Sequence, residues 1–279
     1  MEKIIAAIDS LKYSKSTTYY AAFLAKQVNA HLVGVFLDDF TYTGYKIYDL
    51  LSDKGVSVEK MDELDKKDIE KRKKAVHNFI EDCKNSNVSY TIHHDRNIAI
   101  RELLHESIYS DLLVIDSKET LGHHDEKIPS HFIRHLLADV QCPVLVVPQK
   151  YKPIDKIVLL YDGAPTSVYA IKTFSALFPT LNQLPVEVLS VKNDRQLPYH
   201  PDNKLLKEFI AQHFPKASYV KLEGSPEKEI PHYLKELKEN VLVVAGAYSR
   251  GKMSRWFKHS LADTLMHDLK VPLFIAHNK

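Results

Sequence analysis

The chain repeats itself, since a motif near its start returns near its middle. Lys3–Asp9 reads KIIAAID and Lys156–Asp162 reads KIVLLYD, each an apolar run that ends in aspartate and precedes a helical pattern. Two more pairs match in the same order: DLLVID (111–116) with VLVVAG (241–246), and CPVLVV (142–147) with VPLFIA (271–276). Three ordered matches predict two copies of one domain, 1–150 and 151–279.

Short apolar runs in each half predict the fold class. They are rich in Val, Ile and Leu and alternate with helical patterns, as expected of parallel strands that are buried on both faces. The predicted strands lie near 3–9, 31–37, 88–93, 111–115 and 143–148 in the first half, and near 156–161, 185–191, 217–221, 241–245 and 271–276 in the second. Each half is therefore predicted to be an α/β domain with a doubly wound five-stranded parallel sheet, which binds ligands at the carboxyl ends of its strands.

The first half contains an insertion. Matched positions are 153 residues apart at the first motif but 130 apart at 116 and 246, which leaves 23 extra residues. A highly charged stretch near 57–84 accommodates them, and its apolar residues recur near helical spacing. We expect one long helix with a buried stripe made of Met61, Leu64, Ile69, Val76, Phe79, Ile80 and Cys83.

Charge and hydropathy exclude several classes of protein. The 38 basic and 36 acidic residues are spread along the chain, so no face of a single sign is implied for nucleic acid or a membrane. The apolar run at the N-terminus is too short for a signal sequence, which predicts a cytoplasmic protein. Cys83 and Cys142 form neither a metal-binding spacing nor a disulfide framework, and we expect both to be reduced and packed.

The turn after the fourth strand of the second half reads GAYSRGKMSRWFKHSLAD. It resembles the nucleotide loop of the universal stress protein family, which has glycine, two residues, glycine, nine residues, glycine, then serine or threonine, with an arginine after the second glycine. Gly246, Arg250 and Ser260 match this pattern. Ser249 and His259 stand where the family has its second and third glycines.

The resemblance implies a binding site for ATP, ADP or AMP, with Mg²⁺, in the second copy. In family members that bind ATP, the aspartate that follows the first strand lies near the adenine and ribose, and Asp162-Gly163 matches it here. The loop and the start of the next helix hold the phosphates, because glycine backbone N–H groups and a positive helix end favour an anion. Four cations follow in this loop: Arg250, Lys252, Arg255 and Lys258.

The first copy departs from the family pattern. Its loop reads DSKETLGHHDEKIPS, with Asp116 in place of the first glycine, although Asp9 matches the aspartate that follows the first strand. Glu119, Asp125 and Glu126 add negative charge where phosphates need positive charge. We therefore expect no ATP binding of the family type in the first copy.

Two other functions remain open. The first is a structural or protein-interaction module without a small ligand, with the inserted helix and the His-rich first loop as its partner surface. The second is zinc binding in the first half, because His131 and His135 are four residues apart on a predicted helix and lie near His123, His124 and Asp125. No nucleophile elbow, Walker loop or Gly-x-Gly-x-x-Gly turn is found in the sequence, so we assign no catalytic residue and expect at most slow ATP hydrolysis.

The resemblance also implies how copies associate. Family members commonly dimerise through the last strand of the domain. Here the apolar segments 144–147 and 273–276 are expected to pair within the chain, as a pseudo-dimer, or between two chains as a homodimer. Such pairing would cover two aggregation-prone strand edges.

Overall fold

The computed structural model describes residues 2–39, 58–121, 126–192, 204–246 and 259–276. Two compact units make up the chain, Glu2–Gln141 and Cys142–Lys279. The division comes slightly before the boundary of 150 and 151 that the sequence suggested.

The first unit alternates strands and helices: β1 Lys3–Asp9, α1 Lys15–Val28, β2 His31–Asp39, α2 Val58–Ser86, β3 Tyr90–Asn97, α3 Ala99–Ser107, β4 Leu112–Asp116 and α4 His131–Asp139. Its strands lie in the order β3-β2-β1-β4. The paired strands run parallel, with Ile4 of β1 opposite both Leu32 of β2 and Leu112 of β4. β1 and β4 are almost entirely buried, as their apolar sequences predict.

The second unit contains β5 Val144–Val147, β6 Lys156–Leu160, α5 Pro165–Leu177, a 3₁₀ turn Leu181–Gln183, β7 Val186–Lys192, α6 Lys204–His213, β8 Ala217–Glu223, α7 Pro226–Glu236, β9 Val241–Gly246, α8 His259–Thr264, a π-helical turn Leu265–Leu269 and β10 Leu273–Ala276. The strand order is β5-β10-β9-β6-β7-β8. The predicted α/β fold is confirmed, with five strands in each sequence repeat, because β5 belongs by sequence to the first repeat.

Strand β5 pairs with the last strand of the chain. The two run antiparallel, with Val146 opposite Leu273 and Val144 opposite Ile275. All four residues of β5 are buried, and so are all four residues of β10. Because of this pairing, β5 groups with the second unit although its sequence belongs to the first repeat.

Helix α2 is the predicted insertion, but its buried stripe differs from the prediction. Phe79 and Cys83 are fully buried as expected, whereas Ile69 is 49% exposed and Asp68 is buried instead. The buried face also includes Ala75 and Asp82. Relative to the predicted stripe, it is therefore rotated toward charged residues, which form hydrogen bonds or ion pairs. Asp82, for example, accepts a hydrogen bond from the Tyr13 hydroxyl at 2.8 Å.

Among the residues that the structure describes, no helix is both long enough and apolar enough to cross a bilayer.

Candidate functional site

The carboxyl ends of β6 and β9 meet at one edge of the second unit. These strands pair in parallel, with Lys156 opposite Val241 and Leu159 opposite Val244. The turn Asp162-Gly163 that follows β6 therefore lies beside Gly246, the last residue of β9. Three of the seven predicted site residues are thus brought together, as the strand pattern predicted.

Gly246 is in close contact with the first turn of α5. A Cβ atom on Gly246 would lie 2.5 Å from both the carbonyl carbon and the carbonyl oxygen of Thr166, and 2.7 Å from the Ser167 nitrogen. All three atoms belong to the backbone, so no side-chain rotation could make room. A glycine is required here by helix packing, independently of any ligand.

The turn between β6 and α5 is fixed by its own residues. Asp162 Oδ1 accepts a hydrogen bond from the Ala164 nitrogen at 2.9 Å, which closes an Asx turn. Gly163 has a φ of 79°, a left-handed conformation that glycine adopts without steric cost. Pro165 then begins α5 at the first helical position, where its missing N–H costs nothing.

Sequence reasoning missed Thr166 in the first turn of α5. Its Oγ1 atom is buried and hydrogen-bonds to no group among the described residues. Most buried polar atoms have a hydrogen-bond partner. The Thr166 hydroxyl is therefore a notable polar group beside Gly246, at the same edge of the second unit. The sequence feature that could have indicated Thr166 is a hydroxyl residue directly after Pro165, at the helix start that follows Asp162-Gly163.

The remaining predicted site residues fall on the segment after β9. Ser249 and Arg250 lie outside the described residues. Helix α8 begins at His259, with Ser260 as its second residue. The helix start is thus one residue earlier than the family pattern predicts.

The first unit carries three carboxylates at the corresponding edge. Asp9 and Asp116 end β1 and β4, and Glu119 follows in the next turn; all three are 7% exposed. Asp9 Oδ1 accepts hydrogen bonds from the backbone nitrogens of Leu11 at 2.7 Å and Lys12 at 3.2 Å. Asp116 and Glu119, two of the residues that give this loop its predicted acidic character, are therefore buried, whereas Glu126 is exposed and Asp125 lies outside the described residues.

The surroundings of Glu119 alter the pKa of its carboxyl. Burial, then the charge of nearby Asp9, raises the pKa of the Glu119 carboxyl to about 8. Burial also raises the pKa of Asp9, although its two backbone donors oppose this. Among the described residues, Glu119 Oε1 accepts a hydrogen bond from the Leu121 nitrogen at 2.9 Å.

The different starts of α1 and α5 explain why one half has an aspartate where the other has a glycine. Helix α5 begins three residues after Asp162, whereas α1 begins six residues after Asp9. The longer first turn ends in Ser14, which caps α1 and donates its hydroxyl to Asp116 Oδ2 at 2.7 Å. Asp116 therefore has a hydrogen-bond partner at the position where Gly246 packs against the backbone of α5.

Comparisons with known proteins point to one fold. Neither a protein-family model nor a curated protein sequence matches the chain. A universal stress protein from Archaeoglobus fulgidus DSM 4304, however, superposes on 99% of this chain and 96% of its own, with a TM-score of 0.69 and 14% identity. The chain has the universal stress protein fold. The match spans both repeats, which confirms the resemblance that the loop sequence suggested.

Two further solved structures are similar in fold to this chain. A protein of unknown function from Pseudomonas aeruginosa PAO1 aligns with 99% of the chain and 92% of its own length, at a TM-score of 0.58 and 13% identity. A protein from Pseudomonas aeruginosa UCBPP-PA14, provisionally assigned as a universal stress protein, covers 99% and 93% at a TM-score of 0.55 and 13% identity.

His131 and His135, which suggested a zinc site, both lie on α4 of this universal stress protein fold. The rings of His131 and His135 are 6.4 Å apart, and His135 Nε2 lies 3.6 Å from Asp139 Oδ2. His123, His124 and Asp125 lie outside the described residues. Among the residues that are described, no group of three or more His, Cys, Asp or Glu side chains is arranged to hold a metal ion.

Proposed function

We propose that the chain is a tandem universal stress protein, a regulatory module of the stress response, and that its second copy binds an adenine nucleotide. The observation that carries the proposal is the meeting of Asp162-Gly163 with the end of β9 at one edge of the second unit. Parallel α/β sheets bind their ligands at this edge. The loop sequence that continues from Gly246 retains the arginine and the hydroxyl residue of the family pattern.

Each residue of the proposed site has a role that follows from its chemistry and from the resemblance. Asp162 would accept hydrogen bonds from the ribose or adenine, and Gly163 would let the backbone approach the ligand. Arg250 would pair with phosphate oxygens in a charge-assisted contact, with His259 as a second donor when protonated. Ser249 and Ser260 would supply short hydroxyl side chains, and Mg²⁺ would accompany ATP.

The charge difference between the two units supports a single site per chain. The first unit buries Asp9, Asp116 and Glu119 at the edge that corresponds to the proposed site. Phosphate oxygens placed beside buried carboxylates would be repelled strongly at low dielectric. In the proposal the chain is a binding module and not a dedicated enzyme.

The proposal is tested by nucleotide release and by thermal shift. Purified full-length protein is heat-denatured, and the supernatant is analysed for ATP, ADP and AMP. Added Mg-ATP is expected to raise the unfolding temperature, since a ligand at about 100 times its Kd stabilises by about 2.7 kcal/mol. Arg250→Ala should abolish both signals. Absence of released nucleotide together with no thermal shift would reject the proposal and favour the interaction module.

A further inference from the structure

The first unit contains a buried group of acidic side chains that nucleotide binding does not use. Asp9, Asp116 and Glu119 come from the ends of β1 and β4 and from the turn after β4. Each is only 7% exposed, so water screens their mutual repulsion poorly. Like charges that share a buried position cannot all be ionised at low cost, and one proton is retained.

The hydrogen bonds indicate which carboxyl holds that proton. Asp9 accepts from two backbone nitrogens, and Asp116 accepts from the Lys118 nitrogen at 2.9 Å and from the Ser14 hydroxyl. Glu119 accepts from the Leu121 nitrogen alone among the contacts described. Donors stabilise the ionised form, so the proton belongs on Glu119, whose pKa is raised to about 8.

Charged groups reach Glu119 from several sides. Asp9 of β1 and Asp116 of β4 raise its pKa, and Lys12 of the turn after β1 lowers it. Asp9 is in turn affected by Asp38 near the end of β2, which is paired with Arg72 of α2 at 2.9 Å. The pair with Arg72 places a cation beside Asp38, so the acidic excess is concentrated at Asp9, Asp116 and Glu119.

Glu119 is also tied to the start of the helix that follows it. Its backbone oxygen accepts a hydrogen bond from the Ser130 hydroxyl. Ser130 is the N-cap of α4 and accepts from the Ile133 nitrogen at 3.2 Å. Asp116 similarly holds Ser14, the N-cap of α1. A new charge at Glu119 would therefore act on residues that fix two helix starts.

We propose that the first unit is a proton-sensitive element, in which folding retains a proton on Glu119 at neutral pH and the unit loses stability as the pH rises from acidic values until Glu119 ionises. This inference is independent of nucleotide binding by the second unit. It gives the copy without a nucleotide site a response of its own, to pH.

The direction of the pH dependence follows from linkage. The unfolded chain releases the Glu119 proton near its ordinary pKa of 4.5, whereas the folded chain retains it up to about 8. Between these two values the folded state binds more protons than the unfolded state, so stability falls as the pH rises. Above about 8 both states are ionised, and the dependence on Glu119 levels off.

The experiment is urea unfolding of the full-length chain at pH values from 5 to 9, followed by NMR amide signals of β1 and β4, which report on the first unit. We expect the wild-type urea midpoint of these signals to fall as the pH rises from 5 to 8. In Glu119→Gln this fall should be absent or strongly reduced, because the amide is neutral throughout. Glu70→Gln, at an exposed position of α2, should keep the wild-type dependence.

A direct titration covers the case in which Glu119→Gln does not fold. The carboxyl ¹³C signal of Glu119 in the wild-type chain should titrate above pH 6, and in Asp9→Asn it should titrate at a lower pH, because one repelling charge is gone. A Glu119 signal that titrates near its ordinary value would overturn the proposal. So would a pH dependence of the urea midpoint that is identical in wild type and Glu119→Gln.

Discussion

At the residue scale, Gly246 illustrates how one position can serve packing and resemble a ligand motif at once. Its backbone touches the backbone of Thr166 and Ser167, so the packing of α5 on β9 already requires a glycine. Retention of Gly246 is therefore no evidence for a nucleotide. A test of binding should rely instead on Asp162, whose carboxylate closes the turn before α5, and on Arg250 of the loop, which lies outside the described residues.

Gly246→Ala is expected to destabilise the second unit by about 1–3 kcal/mol, the usual cost of forcing a methyl group into a packed position. Combining it with Thr166→Ala should not restore stability, because the methyl group at position 246 would meet backbone atoms and not the Thr166 side chain. The measurement is the free energy of unfolding in urea for both single variants and the double variant.

Gly34 offers a matched control for this prediction. A Cβ atom there would lie 2.6 Å from the Phe79 ring, a side chain and not backbone. The double variant Gly34→Ala, Phe79→Leu should therefore lose less free energy of unfolding than the sum of the losses of the two single variants. Partial rescue of Gly246→Ala by Thr166→Ala would contradict the account of Gly246.

Residue types and spacing were enough to predict that Asp162, Gly163 and Gly246 share an edge, since parallel strand ends meet there. They did not reveal the contact of Gly246 with α5, which depends on where the helix begins. The buried Thr166 hydroxyl, which has no hydrogen-bond partner among the described residues, was hidden for the same reason. Both features arise from the approach of two elements that are far apart in sequence.

At the element scale, α2 belongs to the core of the first unit and is not an appended helix. Phe79 is fully buried and makes edge-on ring contacts with Phe36 and Tyr90, at centroid distances of 5.7 and 5.9 Å. Two polar residues of the same helix also have partners: Asp82 accepts a hydrogen bond from Tyr13, and Arg72 donates to Asp38. Apolar spacing predicted the helix, but it placed Ile69 inside because it treated Asp68 and Asp82 as surface residues.

Phe79→Ala is expected to cost about 3–5 kcal/mol, as do large truncations at fully buried aromatic positions. Ile69→Ala on the same helix should have little effect, because Ile69 is half exposed. Urea unfolding followed in the first unit measures both. Similar losses for the two variants would mean that the buried face of α2 is the one predicted from apolar spacing.

At the scale of the whole molecule, the two repeats share a fold and differ in what they hold at the same edge. One buries three carboxylates, and the other presents Asp162-Gly163 beside a glycine. The repeat and the strand count could be predicted from three matched segments. The grouping of β5 with the second unit could not be predicted, because two apolar strands of similar sequence allow pairing within one chain or between two chains.

The pairing of β5 with β10 predicts how the second unit behaves alone. A fragment of residues 142–279 keeps β5, whereas a fragment of residues 151–279 leaves the edge of β10 with unpaired backbone groups. The shorter fragment is expected to unfold at a lower temperature and to aggregate more readily. Thermal unfolding and size-exclusion chromatography compare the two, and equal behaviour would show that β5 adds nothing to the unit.

Isothermal titration of the full-length chain with Mg-ATP tests the central claim most directly, namely that only the second copy holds a nucleotide. Asp162→Asn and Asp9→Asn form a matched pair, because each keeps a side-chain oxygen that can accept the backbone hydrogen bonds of its turn. We predict one site per chain, binding weakened at least tenfold by Asp162→Asn, and binding unchanged by Asp9→Asn. Two sites per chain, or a loss of binding on Asp9→Asn with none on Asp162→Asn, would contradict the account.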